Sequence, residues 1–349
     1  MASDDLLLLR GHEIAALLTG RESEIVDAVD RAYAAHGRGN SSLPNSTFLR
    51  FPDDARNRII ALPAFLGEDF AAAGIKWISS FPGNHGLPMD RASAVVILNS
   101  IATGRPESIL EGSVISAKRT AASAALAARV LASGEQTAVG LIGCGLINYE
   151  IARFLLSTIP GIRRFVVFDL KPEKAHSFCE KLGELSGSLS LEVAKSSTEV
   201  LQRTKLSSFA TTAALPHISD LSMCAEGTLI LHVSLRDLSA ETILRADNIV
   251  DDLDHVCRAQ TSIHLAEQSA GHRRFVRGAL FDVTSKRIAA RLPSPGVCVF
   301  SPFGLGVLDL AVSRLVCGLA RASGVGMSIP GFFPESFMAA RMDVVGSSR

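Results

Sequence analysis

Two glycines near the middle of the chain are spaced as in a dinucleotide-binding loop. An apolar run predicts a strand over 138–143, which ends in Gly143-Cys144-Gly145 and is followed by a helix-like segment. Gly143 permits a tight turn, and Gly145 lets the backbone approach a pyrophosphate at the amino end of the helix. Asn148 replaces the third glycine of the usual pattern, so the loop by itself is a weak motif.

Asp169 strengthens this interpretation because it follows directly after the apolar core of the next predicted strand, over 163–170. It comes 24 residues after Gly145 (169 − 145 = 24), where an acidic side chain can bind both hydroxyls of the adenosine ribose. We therefore expect NAD rather than NADP. The nearby positive charge of Lys171 keeps binding of a 2′-phosphate open as an alternative. The alternative is a flavodoxin-like sheet whose glycine turn holds no dinucleotide.

Three cations in the first half of the chain form a candidate carboxylate site. Lys76 lies within an apolar strand-like run, Arg119 within an alanine-rich helical stretch, and Arg50 within the stretch STFLRF. Each residue taken alone is more typical of an exposed position, and we expect neither Lys76 nor Arg119 in the core. Together they predict an anion site, because an amino-acid carboxylate needs fixed donors and arginine offers two parallel ones.

The region after residue 138 alternates short apolar runs with polar or helix-like stretches. Such alternation predicts βαβ units that build a parallel sheet covered on both faces by helices. The predicted strands cover 138–143, 163–170, 189–194, 207–212, 228–234, 247–252 and 297–302. The predicted fold class is α/β, with a doubly wound parallel-sheet NAD-binding domain.

The region before residue 113 has a different pattern. Apolar runs at 58–66, 70–80, 93–100 and 107–112 are joined by Gly, Pro and Asn turns and predict a mixed or antiparallel sheet. Alanine-rich 113–132 predicts a helix, and 305–323 predicts another that returns to this region. We expect a second, α+β substrate-binding and dimerisation domain from 1–125 plus 310–349, and a dinucleotide-binding domain from 126–309.

Composition narrows the class of partner. The chain has 349 residues, 47% hydrophobic and 20% charged, with 35 basic and 35 acidic side chains. This balance gives no support for a nucleic-acid partner, which normally requires a basic surface. No apolar run approaches the roughly 18 residues of a membrane span, and the six scattered cysteines have no ligand-like spacing. We expect a cytoplasmic protein with a small-molecule substrate, no metal and no membrane partner.

Several ordered motifs together resemble the ornithine cyclodeaminase/μ-crystallin family over essentially the whole chain. They read GIKWISSFPGN, SAVVILN, SAKRTAASAALAA, GLIGCGLI and SPFGLGVLDLA. The resemblance implies that Lys76, Arg119 and, upstream, Arg50 hold the substrate carboxylate beside a nicotinamide. It also implies a homodimer formed through the sheet of the first domain.

The same resemblance implies a catalytic aspartate just after the strand at 228–234, and Asp237 is the matching residue. We expect nearby cations to keep Asp237 ionised by lowering its pKa. The alternative role is an N-cap of the following helix, which aspartate fills well. Asp309 in the last motif is expected to be structural. The residues predicted to bind the cofactor are Gly143, Gly145, Leu146, Ile147, Asp169, Arg119, Thr120, Thr211 and Ser234.

The stretches MDRASAVVILN, IIALP and VDDLDHVCR are closer to one branch of the family than to the cyclodeaminases. That branch contains the N-(2-amino-2-carboxyethyl)-L-glutamate dehydrogenases of 2,3-diaminopropionate biosynthesis, which serve siderophore and peptide-antibiotic pathways. The expected reaction is NAD-dependent oxidation to 2-oxoglutarate and L-2,3-diaminopropionate, with Lys76 and Asp237 as catalytic residues. Ornithine cyclodeaminase, alanine dehydrogenase and ketimine reductase stay open, as does a non-enzymatic nucleotide-binding protein of crystallin type.

Overall fold

A computed structural model describes residues 5–293 and 296–334. The last part of the expected first domain, 335–349, therefore lies outside the described residues. Apolar side chains fill the interior of both sheet regions, and Tyr33, Phe154 and Phe300 are among the largest that are fully buried. Within the described residues, no helix is long and apolar enough to cross a membrane.

The first sheet is mixed and has eight strands in the order β16-β1-β7-β6-β5-β4-β2, with β3 paired to β4. Its strands are β1 (Leu6–Leu9), β2 (Ser41–Ser42), β3 (Thr47–Phe51), β4 (Asp54–Leu66), β5 (Ala72–Ser80), β6 (Ala94–Asn99), β7 (Pro106–Glu111) and β16 (Met327–Ile329). Strands β3 to β7 pair antiparallel with their neighbours, whereas β1 runs parallel to β7. The predicted mixed sheet is confirmed, and β4 is longer than the sequence suggested.

The register of β4 and β5 sorts their side chains onto two faces. Lys76 is opposite Leu62 and Trp77 is opposite Ala61. Since side chains alternate along a strand, Lys76 and Trp77 point to opposite faces of the sheet. Lys76 lies on the face that packs against the last helix of the described residues, where it is 2% exposed, while Trp77 on the outer face is 45% exposed.

The second sheet has eight parallel strands in the order β10-β9-β8-β11-β12-β15-β13-β14. They are β8 (Ala138–Ile142), β9 (Arg164–Phe168), β10 (Ser190–Val193), β11 (Leu206–Phe209), β12 (Leu229–His232), β13 (Asp247–Val250), β14 (Val276–Ala279) and β15 (Cys298–Ser301). The chain runs from β8 to one side and then returns to β11 on the other. This reversal places a crevice at the carboxyl ends of β8 and β11, where ligands of open parallel sheets bind.

Eleven α-helices lie within the described residues. They are α1 (Gly11–Leu18), α2 (Glu22–Gly37), α3 (Ser113–Leu131), α4 (Leu146–Thr158), α5 (Pro172–Gly183), α6 (Ser197–Arg203), α7 (Ala240–Arg245), α8 (Leu253–Val256), α9 (Ser262–Ala270), α10 (Leu280–Thr284) and α11 (Gly306–Ser323). Helix α3 packs against both α4 and β12, and α11 packs on β4, β5 and β6. These contacts bring residues from both sheets to one site.

Candidate active site

The glycine-rich loop between β8 and α4 has the geometry that a dinucleotide needs. Gly143 has φ +92°, and a Cβ there would lie 2.6 Å from the carbonyl oxygen of Ala210. A side chain is therefore excluded at this turn by both conformation and space. No atom lies within 4 Å of where a Cβ on Gly145 would be, so the backbone faces open space. The first amide groups of α4 begin there, because Gly145 is its N-cap.

Asn148 explains how the loop forms without the third glycine. Its side-chain amide donates to the carbonyl oxygens of Ile142 (3.0 Å) and Gly143 (2.7 Å), and its oxygen accepts from Ser208 Oγ (2.8 Å). Asn148 is completely buried, and all these contacts lie beneath the loop. The asparagine thus braces the turn from inside, and the departure from the usual pattern does not disrupt the loop.

Asp169 lies at the carboxyl end of β9, beside the same loop. Its Oδ2 accepts from the Cys144 amide at 2.9 Å and its Oδ1 from the Lys171 amide at 3.0 Å. The carboxylate is therefore fixed next to the turn that would receive the pyrophosphate. This position fits the ribose contact predicted from the spacing.

Three of the other predicted cofactor residues, Leu146, Ile147 and Thr120, differ in exposure and in hydrogen bonding. Leu146 starts α4 and is 54% exposed, whereas Ile147 packs partly against the core. Thr120 Oγ1 donates to the carbonyl oxygen of Ser116 at 2.7 Å, which occupies its proton within helix α3. Contact between these three residues and a cofactor stays a prediction.

Lys76 and Arg119 share one buried carboxylate. Lys76 Nζ lies 2.7 Å from Oδ2 of Asp309, and Arg119 Nε lies 3.1 Å from Oδ1. Ser116 Oγ accepts from Lys76 at 3.2 Å. The expectation that Lys76 and Arg119 lie outside the core is wrong, because they are 2% and 9% exposed. Asp309 is the reason, since a buried cation is tolerated when it is paired and hydrogen-bonded.

The charge balance of this trio leaves one cation uncompensated. Burial, followed by the positive charge of Arg119, lowers the pKa of Lys76 to about 8, although Asp309 acts in the opposite direction. Two cations against one carboxylate give a net charge of +1, which an incoming substrate carboxylate would neutralise. Arg119 also borders Gly304, where a Cβ would lie 2.8 Å from its Nη1. The glycine therefore leaves room for the guanidinium.

Asp237 is buried at the carboxyl ends of β11 and β12. Thr211 Oγ1 donates to Oδ1 and Ser234 Oγ donates to Oδ2. His232 Nε2 lies 3.3 Å from Oδ2, and its Nδ1 lies 3.2 Å from Ser301 Oγ. Burial, the largest single influence, raises the pKa of Asp237, but His232 and the two hydroxyls together hold it below its usual range.

Two expectations about Asp237 are corrected by these contacts. Ser239, not Asp237, is the N-cap of α7, and its hydroxyl accepts from the Thr242 amide. The N-cap alternative is therefore wrong. The pKa of Asp237 is lowered as expected, but chiefly by His232 and hydroxyl donors rather than by the predicted cations. Thr211 and Ser234, both predicted to bind the cofactor, direct their hydroxyl protons to this carboxylate.

Arg50 is not joined to Lys76 and Arg119 by any hydrogen bond or ion pair in the part of the chain that the structure describes. It lies on β3, exposed, with its guanidinium carbon 5.7 Å from the centre of the Phe48 ring. Its Cα partner across the sheet is Arg58 on β4. The structure thus brings Arg50 to a second group of cations.

Sequence reasoning missed several residues of this site. Asp309 was expected to be structural, yet it contacts both predicted substrate cations; Ser116, His232 and Arg58 were not singled out. Ser116 precedes Arg119 by one helical turn, a spacing that places both on one face of α3 and could have been noticed. His232 gave no comparable signal, because it lies inside an apolar strand.

Comparison with known proteins identifies the family. The model of the ornithine cyclodeaminase/mu-crystallin family matches residues 8–324. The chain belongs to this family. The resemblance read from the sequence motifs is therefore confirmed, and so is the α/β fold with its parallel sheet.

Individual members of the family are similar over nearly their whole length. N-((2S)-2-amino-2-carboxyethyl)-L-glutamate dehydrogenase of Staphylococcus aureus is 27% identical over 89% of this chain and 94% of its own. Alanine dehydrogenase of Archaeoglobus fulgidus is 26% identical over 94% of this chain and 99% of its own. The solved structure of an archaeal alanine dehydrogenase dimer with bound NAD superposes with a TM-score of 0.84, at 25% identity, over 94% of this chain and 100% of the other.

Proposed function

We propose N-(2-amino-2-carboxyethyl)-L-glutamate as the substrate of this family member, which is an NAD-dependent amino-acid oxidoreductase. The observation that carries the proposal is the buried trio of Lys76, Arg119 and Asp309, which has a net positive charge. Helix α3, which bears Arg119, packs against β12 of the sheet that carries the glycine-rich loop. The similarity to the Staphylococcus aureus dehydrogenase supports this choice of substrate. The products would be 2-oxoglutarate and L-2,3-diaminopropionate, feeding siderophore or peptide natural-product biosynthesis.

The glycine-rich loop fits NAD in conformation and in space. Gly143 and Gly145 leave room for a pyrophosphate against the backbone, and α4 presents its amino end there. Asp169 lies beside the loop, where its carboxylate could accept hydrogen bonds from the ribose hydroxyls. Asp169 also disfavours the 2′-phosphate of NADP by charge repulsion. NAD, when bound, supplies the hydride acceptor. The archaeal alanine dehydrogenase that this chain resembles has been solved with NAD.

Lys76 and Arg119 would bind and orient the α-carboxylate of the glutamyl moiety. Their donors are fixed by Asp309 and Ser116, so little side-chain freedom would be lost on binding. Arg119 is carried by α3, which packs against β12. That contact joins the helix that bears Arg119 to β12, after which Ser234 and Asp237 follow in the sequence.

Asp237 would handle the protons of the reaction. Oxidation at Cα removes a hydride and converts the secondary amine to an imine. Water then adds to the imine carbon, and the carbinolamine breaks to 2-oxoglutarate and L-2,3-diaminopropionate. The overall balance is substrate, NAD⁺ and water giving the two products, NADH and a proton. Asp237 is ionised at neutral pH because its pKa is lowered, and it would accept a proton from the attacking water and return it to the leaving amine.

The test is absorbance at 340 nm with NAD⁺ and N-(2-amino-2-carboxyethyl)-L-glutamate, with ornithine and alanine assayed in parallel. NADH in equal amount to 2-oxoglutarate and diaminopropionate would support the proposal. Proline and ammonia from ornithine, with no net NADH, would make the enzyme a cyclodeaminase. NADH with pyruvate from alanine would favour the activity named for the Archaeoglobus relative instead.

The outer face of the first sheet supports a homodimer. Leu49, Phe65, Trp77 and Val95 all lie on this face and are 39–49% exposed. An apolar patch on one sheet face is typical of a protein–protein contact. Sedimentation of a Trp77→Glu variant as a monomer would support the dimer, whereas a wild-type monomer would rule it out.

We also propose that the chain divides into two domains, with boundaries at residues 125/126 and 309/310.

A further inference from the structure

Three arginines gather at one end of the first sheet, apart from the trio around Asp309. Arg50 and Arg58 are directly opposite each other on β3 and β4, and Arg58 is opposite Ser80 on β5. Arg91 Nη1 donates to Ser80 Oγ at 2.7 Å. Directly opposite residues share a face of the sheet, so Arg50 and Arg58 point to the same side as Ser80.

Arg236 joins this arginine cluster (Arg50, Arg58, Arg91 and Arg236) from the other sheet region. It immediately precedes Asp237, and its Nη2 donates to the carbonyl oxygen of Ala259 at 2.7 Å. The charge of Arg50 lowers the pKa of Arg236, after burial, while Asp237 raises it. The sheet arginines Arg50 and Arg58 are therefore close to Arg236, which is next to Asp237 in the sequence.

The cluster lacks carboxylate partners among the described residues. By contrast, buried Arg119 and partly buried Arg277 each form an ion pair with a carboxylate. Arg58 has a buried Nε with no hydrogen-bond partner. Its pKa is lowered by burial first, then by the charges of Arg236, Arg91 and, most weakly, Arg50. Half-buried like charges with an unused donor repel one another, and an anion would relieve this cost.

The cluster lies on the same face of the sheet as Lys76. Lys76, Ile78 and Ser80 alternate along β5, and Arg58 is opposite Ser80. Four residues along a strand span about 13 Å, which sets the Cα separation of Lys76 and Ser80. Two groups of cations thus lie on one face of the sheet, and Arg236 of the second group immediately precedes Asp237. A ligand with a carboxylate at each end fits this spacing better than a monocarboxylate.

We propose that Arg58, Arg91 and Arg236, with Arg50, form a second carboxylate subsite that selects substrates carrying an additional carboxylate beyond the one held by Lys76 and Arg119. This inference rests on the proposed function for the placement of the first carboxylate. It assigns the enzyme to di- or tricarboxylic amino-acid substrates. Alanine and ornithine lack the group that the cluster would bind.

A binding experiment tests the subsite without turnover. Calorimetry of the full chain with NADH would compare 2-oxoglutarate with 2-oxopentanoate, which has a methyl group in place of the distal carboxylate. We expect 2-oxoglutarate to bind roughly 10- to 100-fold more tightly, and Arg58→Gln and Arg236→Gln each to remove most of that difference. Affinity for 2-oxopentanoate should stay unchanged. Arg129→Gln, which removes a cation paired with Asp30 on the far end of α3, should change neither affinity.

The outcomes separate the subsite from the proposed function. Equal affinities of the two ligands for wild type, or a preference unaffected by both variants, would overturn the subsite even if NADH binds normally. Loss of NADH binding in the wild type would instead contradict the proposed function. Arg58 has no carboxylate partner, so Arg58→Gln should not lower Tm. Should one variant unfold, the other and Arg58→Lys keep the comparison intact.

Discussion

Lys76 Nζ and Asp309 Oδ2 lie 2.7 Å apart, although 233 residues of sequence separate them. The lysine comes from β5 of the first sheet, and the aspartate comes from α11, which returns after the second sheet. Both are almost fully buried, and Arg119 binds the other oxygen of the same carboxylate. The ion pairs at the proposed substrate site therefore join α11 to β5 and to α3. The free energy of unfolding should consequently depend on the charges of these three residues.

Asp309→Asn is expected to destabilise the fold as well as the site. It leaves Lys76 and Arg119 buried without a counter-charge, which typically costs about 3–5 kcal/mol when a buried pair is broken. Urea unfolding of wild type and variant measures this difference. Asp254→Asn is the matched control, because its side chain is 87% exposed in its pair with Arg273 and should change stability by under about 1 kcal/mol. Equal effects of the two substitutions would contradict the account.

The pH dependence of turnover should report the ionisation of Lys76. Because its pKa lies at about 8, the fraction that carries a charge falls as the pH rises past that value. Substrate carboxylate binding then weakens, so kcat/KM should decline above about pH 8. Lys76→Arg keeps the cation charged and should move this decline above pH 10. A decline at the same pH in Lys76→Arg would assign it to another group.

The same lysine affects stability with a defined sign. Its pKa is about 8 in the folded state and 10.5 unfolded, so between these values the unfolded chain binds more protons. Its contribution to the free energy of unfolding therefore rises as the pH increases from about 8 to about 10.5. Lys76→Met should remove this rise, as measured by urea unfolding at pH 8 and pH 10. A rise of equal size in the variant would show that other groups cause it.

Asp237→Asn should remove the proton acceptor with little change in size. We expect kcat to fall by roughly 10²- to 10⁴-fold, with NADH affinity nearly unchanged. Steady-state kinetics and NADH fluorescence titration measure the two quantities. Ser239→Ala, at the true N-cap of α7, is the control, because it alters the same segment without touching the carboxylate. Activity of Asp237→Asn close to that of wild type would exclude Asp237 as the acid/base.

Asp169→Ala should weaken NAD⁺ binding selectively. Its carboxylate is fixed beside the glycine-rich loop by the Cys144 and Lys171 amides. We expect KM for NAD⁺ to rise about tenfold or more, with little change in KM for the amino acid, and discrimination against NADP⁺ to fall. Kinetics with each cofactor measure this effect. An unchanged KM for NAD⁺ would remove the ribose assignment.

The fold was largely predictable where burial imposes a continuous apolar run. Strands β8, β9 and β12 are covered on both faces, so their sequences stand out from the polar stretches between them. The edge strand β14 was missed, because Val276–Ala279 contains arginine and glycine and is only partly buried. The helices α1 and α2 were also missed, although the buried apolar residues of α2 recur at helical spacing.

The predictions for the site were less complete than those for the fold. The glycine-rich loop and Asp169 are close in sequence, so their spacing alone was enough to predict a dinucleotide site. Lys76 pairs with Asp309, and Arg58 lies close to Arg236, only because of tertiary contacts. No local sequence pattern encodes these contacts. Burial of Lys76 and Arg119 was misjudged for the same reason, because their counter-charge comes from a distant helix.

The most direct test of the central claim follows one hydrogen atom. N-(2-amino-2-carboxyethyl)-L-glutamate carrying deuterium at the glutamyl Cα would be incubated with NAD⁺, and the resulting NADH analysed by mass spectrometry and NMR. Direct hydride transfer predicts one deuterium at C4 of the nicotinamide ring, in amount equal to the 2-oxoglutarate formed. NADH without deuterium, or no NADH from this substrate, would contradict the proposed reaction.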